Sequence, residues 1–367
     1  MIEARAVAFV VDAAPDSITL PGPRAPIPFH AMASMRLRAL IPAHVLALGR
    51  PVHLVPPRVF AADPTLAAFG DLAAVIVGKL FPIGDLIRNP PVAEGLLARL
   101  RSTAARHPLL ADLCDHLPAQ GAVEGSDVPR GLVAGLGEIA RLTVPTAALA
   151  AALAPHAQRG ISVIEDPYEG PLGAPRGPSA DGPVRLAWFG LITAETSRPL
   201  VAGLTRIARH GFGRRLVVEI VANPSAAAGV ASLARDLAPA LEIVMTSWSP
   251  DAAQRALAGA DAVVLPQDTE AAWARVKSHN RLVEAIRAGR IAIASPIPAY
   301  RELSDHAWVG DDLAAGLAWA LGHPAEAEAR VTTGQSAIER RFAPAAVGRR
   351  WSEVIDETGR LPRAGAP

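Results

Sequence analysis

Within residues 277–284 the chain places Lys277, Ser278, Asn280, Arg281 and Glu284. Leu282, Val283 and Ile286 recur at the spacing of one helix side, and the pattern predicts a helix over 277–288. On that helix Lys277, Arg281, Glu284 and Ala288 share a stripe, at steps of four, three and four. Asn280, four before Glu284, shares part of the face. Ser278 is placed to cap the helix and Gly289 to end it in a left-handed turn. A helix N-terminus favours an anion through its dipole and its free N–H groups. Two cations there suit a diphosphate. A carboxylate one turn deeper can accept hydrogen bonds from both hydroxyls of a ribose. An ordinary solvated helix face would use the same residue types. The buried strands expected on each side, and the irregular loop 267–276 in front, favour the ligand reading.

Such a helix must be carried by a parallel sheet, and the rest of the chain supplies one. Apolar runs alternate with helical patterns from end to end. Strands are predicted at 6–11, 52–55, 73–77, 109–114 and 161–164, with helices at 33–48, 92–106, 130–140 and 146–157. Pro42 must kink or interrupt the first of these helices. A Pro- and Gly-dense stretch, 167–183, then breaks the pattern and reads as a linker. After it, strands are predicted at 184–189, 216–221, 241–245, 262–265 and 291–294. Helices are predicted at 196–210, 225–237, 250–257, 311–321, 324–341 and 344–357. The expected architecture is α/β: two tandem Rossmann-like doubly wound domains, 1–170 and 184–343, joined by linker 171–183. A last helix and tail, 344–367, is expected to cross back to the first domain. Ligands of such sheets bind beyond the carboxyl ends of the strands, which predicts an active cleft between the domains. Lys79, directly after the strand at 73–77, is a candidate cation facing it.

Composition narrows the class. The chain has 367 residues, a formal net charge of +1, half its residues hydrophobic and one cysteine, Cys114. That length favours two domains, and one cysteine excludes a disulfide scaffold or a thiolate zinc site. A charge near zero argues against a nucleic-acid binder driven by electrostatics. Asp112-x-Cys114-Asp115-His116 lacks further spaced ligands, so no metal site is expected. No run of 18 apolar residues is present, and the opening MIEARAVAFVVD reads as a first buried strand rather than a leader. The expected location is cytoplasmic, with peripheral association at the inner face of a membrane left open.

Segment 261–303 resembles the donor-binding region of glycosyltransferases of the GT-B fold, especially the large retaining families. In those families a strand ending in proline leads through a loop to Glu-Ala-x-x-x-Gly. A strand, a small turn and Arg-Glu follow. Here these are Pro266, Glu284-Ala285 with Gly289, the strand 291–294, and Arg301-Glu302. The likeness covers roughly 184–355 and is weaker over the first domain. It implies transfer of a sugar from a nucleotide-activated donor, most simply UDP- or GDP-linked, to an acceptor hydroxyl on a glycan, a lipid-linked sugar or a protein. By that likeness Glu284 holds the ribose and Lys277, with Arg281 and Arg198, offsets the charge of the leaving diphosphate without a metal. Gly190 permits close approach of the diphosphate, and Trp248 stacks on the base. Arg36 and Arg38, after the proline-rich loop 16–30, meet an anionic group, while His30 and His44 are base candidates by position alone. Many retaining members carry a second glutamate eight positions before the ribose glutamate. Here that position is Val276, and Asp268 or Glu270 in the same loop would have to contact the sugar instead. Two other readings stay open: a nucleotide-sugar epimerase on the same scaffold, and a binding protein that keeps the nucleotide site without turnover.

Overall fold

The computed structural model describes residues 4–12, 17–20, 32–78 and 89–363. The chain divides into two compact units. Residues 1–167, 276–278 and 342–367 form the first, and 168–275 with 279–341 form the second.

The first unit is built on seven strands: β1 (Val7–Val10), β2 (Ile18–Leu20), β3 (Val52–Val55), β4 (Ala74–Val77), β5 (Leu109–Asp112), β6 (Arg141–Val144) and β7 (Ile161–Val163). They lie in the order β2-β3-β1-β4-β5-β6-β7. Only β2 runs antiparallel, against β3. Strands β1, β4 and β5 are buried along their whole length, as strands covered on both faces must be. Helices Pro90–Arg106, Val128–Ile139 and Ala147–Leu153 cover one face through Leu96, Leu100, Leu132, Leu136 and Leu149. The other face is covered by the helical segment 33–46, through Met35, Leu40, Ala43 and Leu46, and by the terminal helix Pro344–Gly359, which places Val347, Trp351, Val354 and Ile355 in this core. Trp351 meets Phe9 edge-on, with ring centroids 5.9 Å apart.

Three differences from the sequence pattern have physical causes. The helix expected over 33–48 is broken by a π-helical turn at Arg36–Leu40, where the Ile41 N–H reaches back to the Arg36 carbonyl. Pro42 has no N–H and crowds the preceding turn, and the wider turn relieves both. Strand β6 falls where a helix–helix junction was expected. Its polar positions are spent locally: Arg141 Nε donates to Ser162 Oγ on β7 at 2.9 Å, and Thr143 Oγ1 donates to Asp112 Oδ1 on β5 at 2.7 Å. Strands β2 and the two-residue β13 described below are too short to show a period.

The second unit has six parallel strands: β8 (Val184–Gly190), β9 (Leu216–Ala222), β10 (Glu242–Ser247), β11 (Ala262–Leu265), β12 (Ile291–Ala294) and β13 (Trp308–Val309). Their order is β10-β9-β8-β11-β12-β13. The chain starts in the middle at β8, builds outward to β10, then returns to build from β11. The switch point therefore lies between β8 and β11, where ligands of such sheets bind. Residues 168–177, within the stretch expected to be a linker, lie as a strap on this unit. The Gly173 N–H donates to the Arg287 carbonyl at 2.9 Å, and Gln335 Nε2 to the Gly173 carbonyl at 2.7 Å. Arg290 Nη1 donates to the Ala174 carbonyl at 3.0 Å.

Candidate functional site

At the switch point of the second unit, β8 ends on Gly190, whose φ of 150° favours glycine. A Cβ there would lie 3.3 Å from Arg281 Nη1. The Arg281 guanidinium lies over the buried Trp188 ring, 5.6 Å from its centroid. A cation is thus held against an aromatic face, at the carboxyl end of the first strand, with its planar fork available for a phosphate. Asn280 sits one residue away, at the start of helix Asn280–Arg287. Its Nδ2 is buried without a hydrogen-bond partner among the described residues.

The loop after β8 is made rigid by local pairing. Asn223 Oδ1 accepts the Ile192 N–H at 2.7 Å, and Asn223 Nδ2 donates back to the Ile192 carbonyl at 3.2 Å. Thr193 and Thr196 form a reciprocal capping box that opens helix Ala194–His210. From the second turn of that helix Arg198 reaches Asp268 Oδ2 at 3.5 Å, with 85% of its side chain exposed. Asp268 is largely committed to its own loop. Its Oδ1 accepts the N–H groups of Ala271 and Glu270, both at 2.9 Å, and these bonds hold its carboxyl below the usual range. Glu270 is exposed on the same loop. Trp248 is half-buried just beyond β10, its N–H donating to the Ala222 carbonyl at 2.8 Å.

Several expected positions are corrected. The helix begins at Asn280, not Lys277, and has no side-chain cap, so Ser278 does not serve as one. Val276 is the reason. It is buried in the apolar core of the first unit, and its carbonyl accepts Thr146 Oγ1 at 3.1 Å. Residues 276–278 therefore belong to that unit and cannot extend the helix. There Lys277 Nζ pairs with Asp115 Oδ1 at 2.8 Å. The expected stripe of Lys277, Arg281 and Glu284 along one helix is absent.

Glu284 departs most from its expected role. It is only 3% exposed. Its Oε1 accepts the Glu169 N–H at 2.7 Å and its Oε2 the Gly170 N–H at 3.1 Å. It thus clamps the strap and presents no open pair of oxygens to a ribose. Burial pushes its carboxyl up to about 7, against the downward pull of those two amides and of the Gln254 side chain. A Cβ at Gly170 would run into Glu284 and Gln254, so the close approach needs glycine. His279, which no sequence motif marks, is buried, its Nε2 3.1 Å from Glu302 Oε2. Arg341 Nη2 donates to the same oxygen at 2.6 Å, and the His279 and Arg341 bonds together hold Glu302 down near 2. The Arg301-Glu302 pair in the sequence was the available signal for this cluster.

In the first unit Arg36 and Arg38 are both buried, which corrects the expectation of a substrate-facing basic pair. Arg38 forks onto Asp112 through Nε at 3.1 Å and Nη2 at 2.6 Å. Its Nη1 donates to Asp166 at 3.2 Å and to the Ile164 carbonyl. Burial opposes its charge, but the two carboxylates outweigh this and raise its pKa further. This pairing closes the carboxyl ends of the strands and is structural. His44 lies on helix Ile41–Leu46. Lys79 and His30 lie outside the described residues. Among the described residues no group of three or more His, Cys, Asp or Glu is arranged to hold a metal. No described helix is long and apolar enough to cross a membrane.

No protein-family model matches the chain, and no curated protein sequence matches it significantly. Solved structures do. The lipopolysaccharide outer core galactosyltransferase WaaB, in apo form, is 12% identical with a TM-score of 0.60, over 96% of this chain and 99% of that one. AviGT4, a glycosyltransferase of avilamycin A biosynthesis, is 15% identical with a TM-score of 0.55, over 99% of each. A mutant of TarM from S. aureus, solved with fondaparinux, α-GlcNAc-glycerol and UDP, is 10% identical with a TM-score of 0.56. It aligns over 77% of this chain, and the alignment spans about half (55%) of its own length. These likenesses, with two mostly parallel sheets in tandem and a β10-β9-β8-β11-β12-β13 order in the second, place the chain in the GT-B fold shared by these glycosyltransferases.

Proposed function

We propose that the chain transfers a sugar from a nucleotide-activated donor to an acceptor hydroxyl, with the nucleotide on the second unit. The observation that carries this reading is the Arg281 guanidinium, held over Trp188 and beside Gly190 at the switch point of the sheet. A diphosphate seated there meets a bidentate cation. It also meets the backbone at a residue without a Cβ. As the bond from sugar to phosphate breaks, negative charge grows on the diphosphate. A fixed cation stabilises that charge more than it stabilises the bound donor, which lowers the barrier. Arg198 adds a second, exposed cation, restrained by Asp268. Trp248, half-buried beyond β10, is the surface proposed for the base. Protein cations thus offset the leaving-group charge, and no step calls for a metal. Lys277 is withdrawn from this role, because its ammonium is spent on Asp115. The donor is proposed as UDP- or GDP-linked and the acceptor as a glycan, lipid-linked sugar or protein.

One observation favours a second reading, binding without turnover. The position where many retaining relatives by resemblance carry a sugar-contacting glutamate is Val276, and it is core. Nucleotide release separates the two. Transfer requires UDP or GDP to appear from the nucleotide sugar, with sugar on an acceptor, at a rate that rises with added acceptor extract. Tight donor binding with no release in any extract supports the second reading and overturns the first.

A further inference from the structure

Apart from the Arg281 site, the second unit carries a groove of about 540 Å³ at the carboxyl ends of β11, β12 and β13. That volume is the size of a small-molecule cleft. Thr269 and Glu270 line it from the loop after β11, Pro296 from the turn after β12, and Asp311 from the turn after β13. Pro298, Arg275 and Arg301 complete the lining. Arg301 Nε donates to the Pro296 carbonyl at 3.0 Å, which fixes the guanidinium and leaves its two terminal nitrogens without a hydrogen bond among the described residues. The Arg275 guanidinium makes no hydrogen bond or ion pair among them; only its backbone N–H is used, donating to the Ala271 carbonyl at 3.1 Å.

The lining specifies a ligand class. Two guanidinium groups with uncommitted N–H donors suit a group rich in oxygen acceptors, and a phosphate monoester is the commonest such group. Glu270 and Asp311 accept only, so the remainder of the ligand must supply donors, as sugar hydroxyls do. Among the described residues no aromatic ring lines the groove to stack on a base. We propose that this groove binds a sugar phosphate, with the phosphate on Arg275 and Arg301 and the ring hydroxyls on Glu270 and Asp311. The binding claim is independent of the Arg281 site. Where the transfer reading also holds, the sugar phosphate is the acceptor.

The test is calorimetric titration of the whole chain with the 6-phosphates of glucose, galactose and mannose, and separately with inorganic phosphate, the free hexoses and UDP. At least one hexose phosphate binds, at least tenfold more tightly than inorganic phosphate or its free hexose. Arg275→Gln and Arg301→Gln each weaken it at least tenfold and leave UDP affinity within twofold. Both side chains are exposed, so neither change threatens the fold. Failure of every hexose phosphate to bind overturns the proposal. So does inorganic phosphate matching the best hexose phosphate, or binding unchanged in both variants. Loss of UDP binding in the unaltered chain, with hexose phosphate binding intact, would count against the transfer reading and not against this groove.

Discussion

Glu284 offers a sharp test of how the strap is held. In the folded chain its carboxyl titrates at about 7, against an ordinary 4.5, because burial outweighs the two amide donors. The folded state therefore holds this proton more tightly than the unfolded chain. The sign follows from linkage: the associated stability is fully present below pH 4.5 and is lost as pH rises through 7. At about 1.4 kcal/mol per pH unit, the span from 4.5 to 7 amounts to about 3 kcal/mol. Glu284→Gln cannot titrate. Its amide also turns a donor towards one of the two strap N–H groups, at a pH-independent cost of about 1–3 kcal/mol. Denaturant unfolding of both proteins at pH 5 and pH 8, followed through the transition of the second unit, measures the difference. Over that interval the unaltered chain should lose about 2.5 kcal/mol more than the variant, because part of the term is already gone at pH 5. The amides of Glu169 and Gly170 should lose hydrogen-exchange protection in parallel. Equal pH dependence in the two proteins would refute the argument that Glu284 is buried, clamped and protonated at low pH.

Other outcomes follow from the packing. Trp351→Ala removes a fully buried indole from the first unit's core, at an expected cost of about 3–5 kcal/mol by denaturation. A loss below 1 kcal/mol would mean that the terminal helix does not seal that sheet. Arg38→Met leaves Asp112 and Asp166 buried without their cation and should cost about 3–5 kcal/mol at neutral pH. Glu302, held near 2 by His279 and Arg341, contributes stability above pH 4.5 that is lost as pH falls towards 2. Glu302→Gln should remove that acid-side dependence in the same titrations.

The strand–helix alternation was legible because strands such as β4, β11 and β12 are buried on both faces and read as short unbroken apolar runs. The terminal helix was legible through Val347, Trp351, Val354 and Ile355, a stripe at helical spacing. Strand β6 was not, because its signal is split between Leu142, Val144 and two polar residues whose partners lie on other strands. The candidate site was legible in part. Arg281 and Gly190 were identifiable by type and by position after strands, and the structure brings them together. The partition at Val276 was hidden, because an apolar residue before a helix looks the same whether it packs on that helix or in another core. That one placement moves Lys277 to Asp115 and shortens the helix. The inward turn of Glu284 was hidden for a related reason: its partners are backbone N–H groups of a Pro- and Gly-rich stretch, which carry no side-chain signature.

Arg281, at the carboxyl end of β8, is proposed to receive the diphosphate of a nucleotide. Calorimetric titration of the unaltered chain and of Arg281→Ala with UDP and GDP, and with uridine and guanosine as controls, tests it most directly. The preferred nucleoside diphosphate should lose about 1.5–3 kcal/mol of binding free energy in the variant, roughly ten- to hundredfold in affinity, as expected for charge-assisted hydrogen bonds. Binding of the bare nucleoside should stay unchanged. Diphosphate affinity equal in the two proteins would mean that Arg281 does not receive the diphosphate.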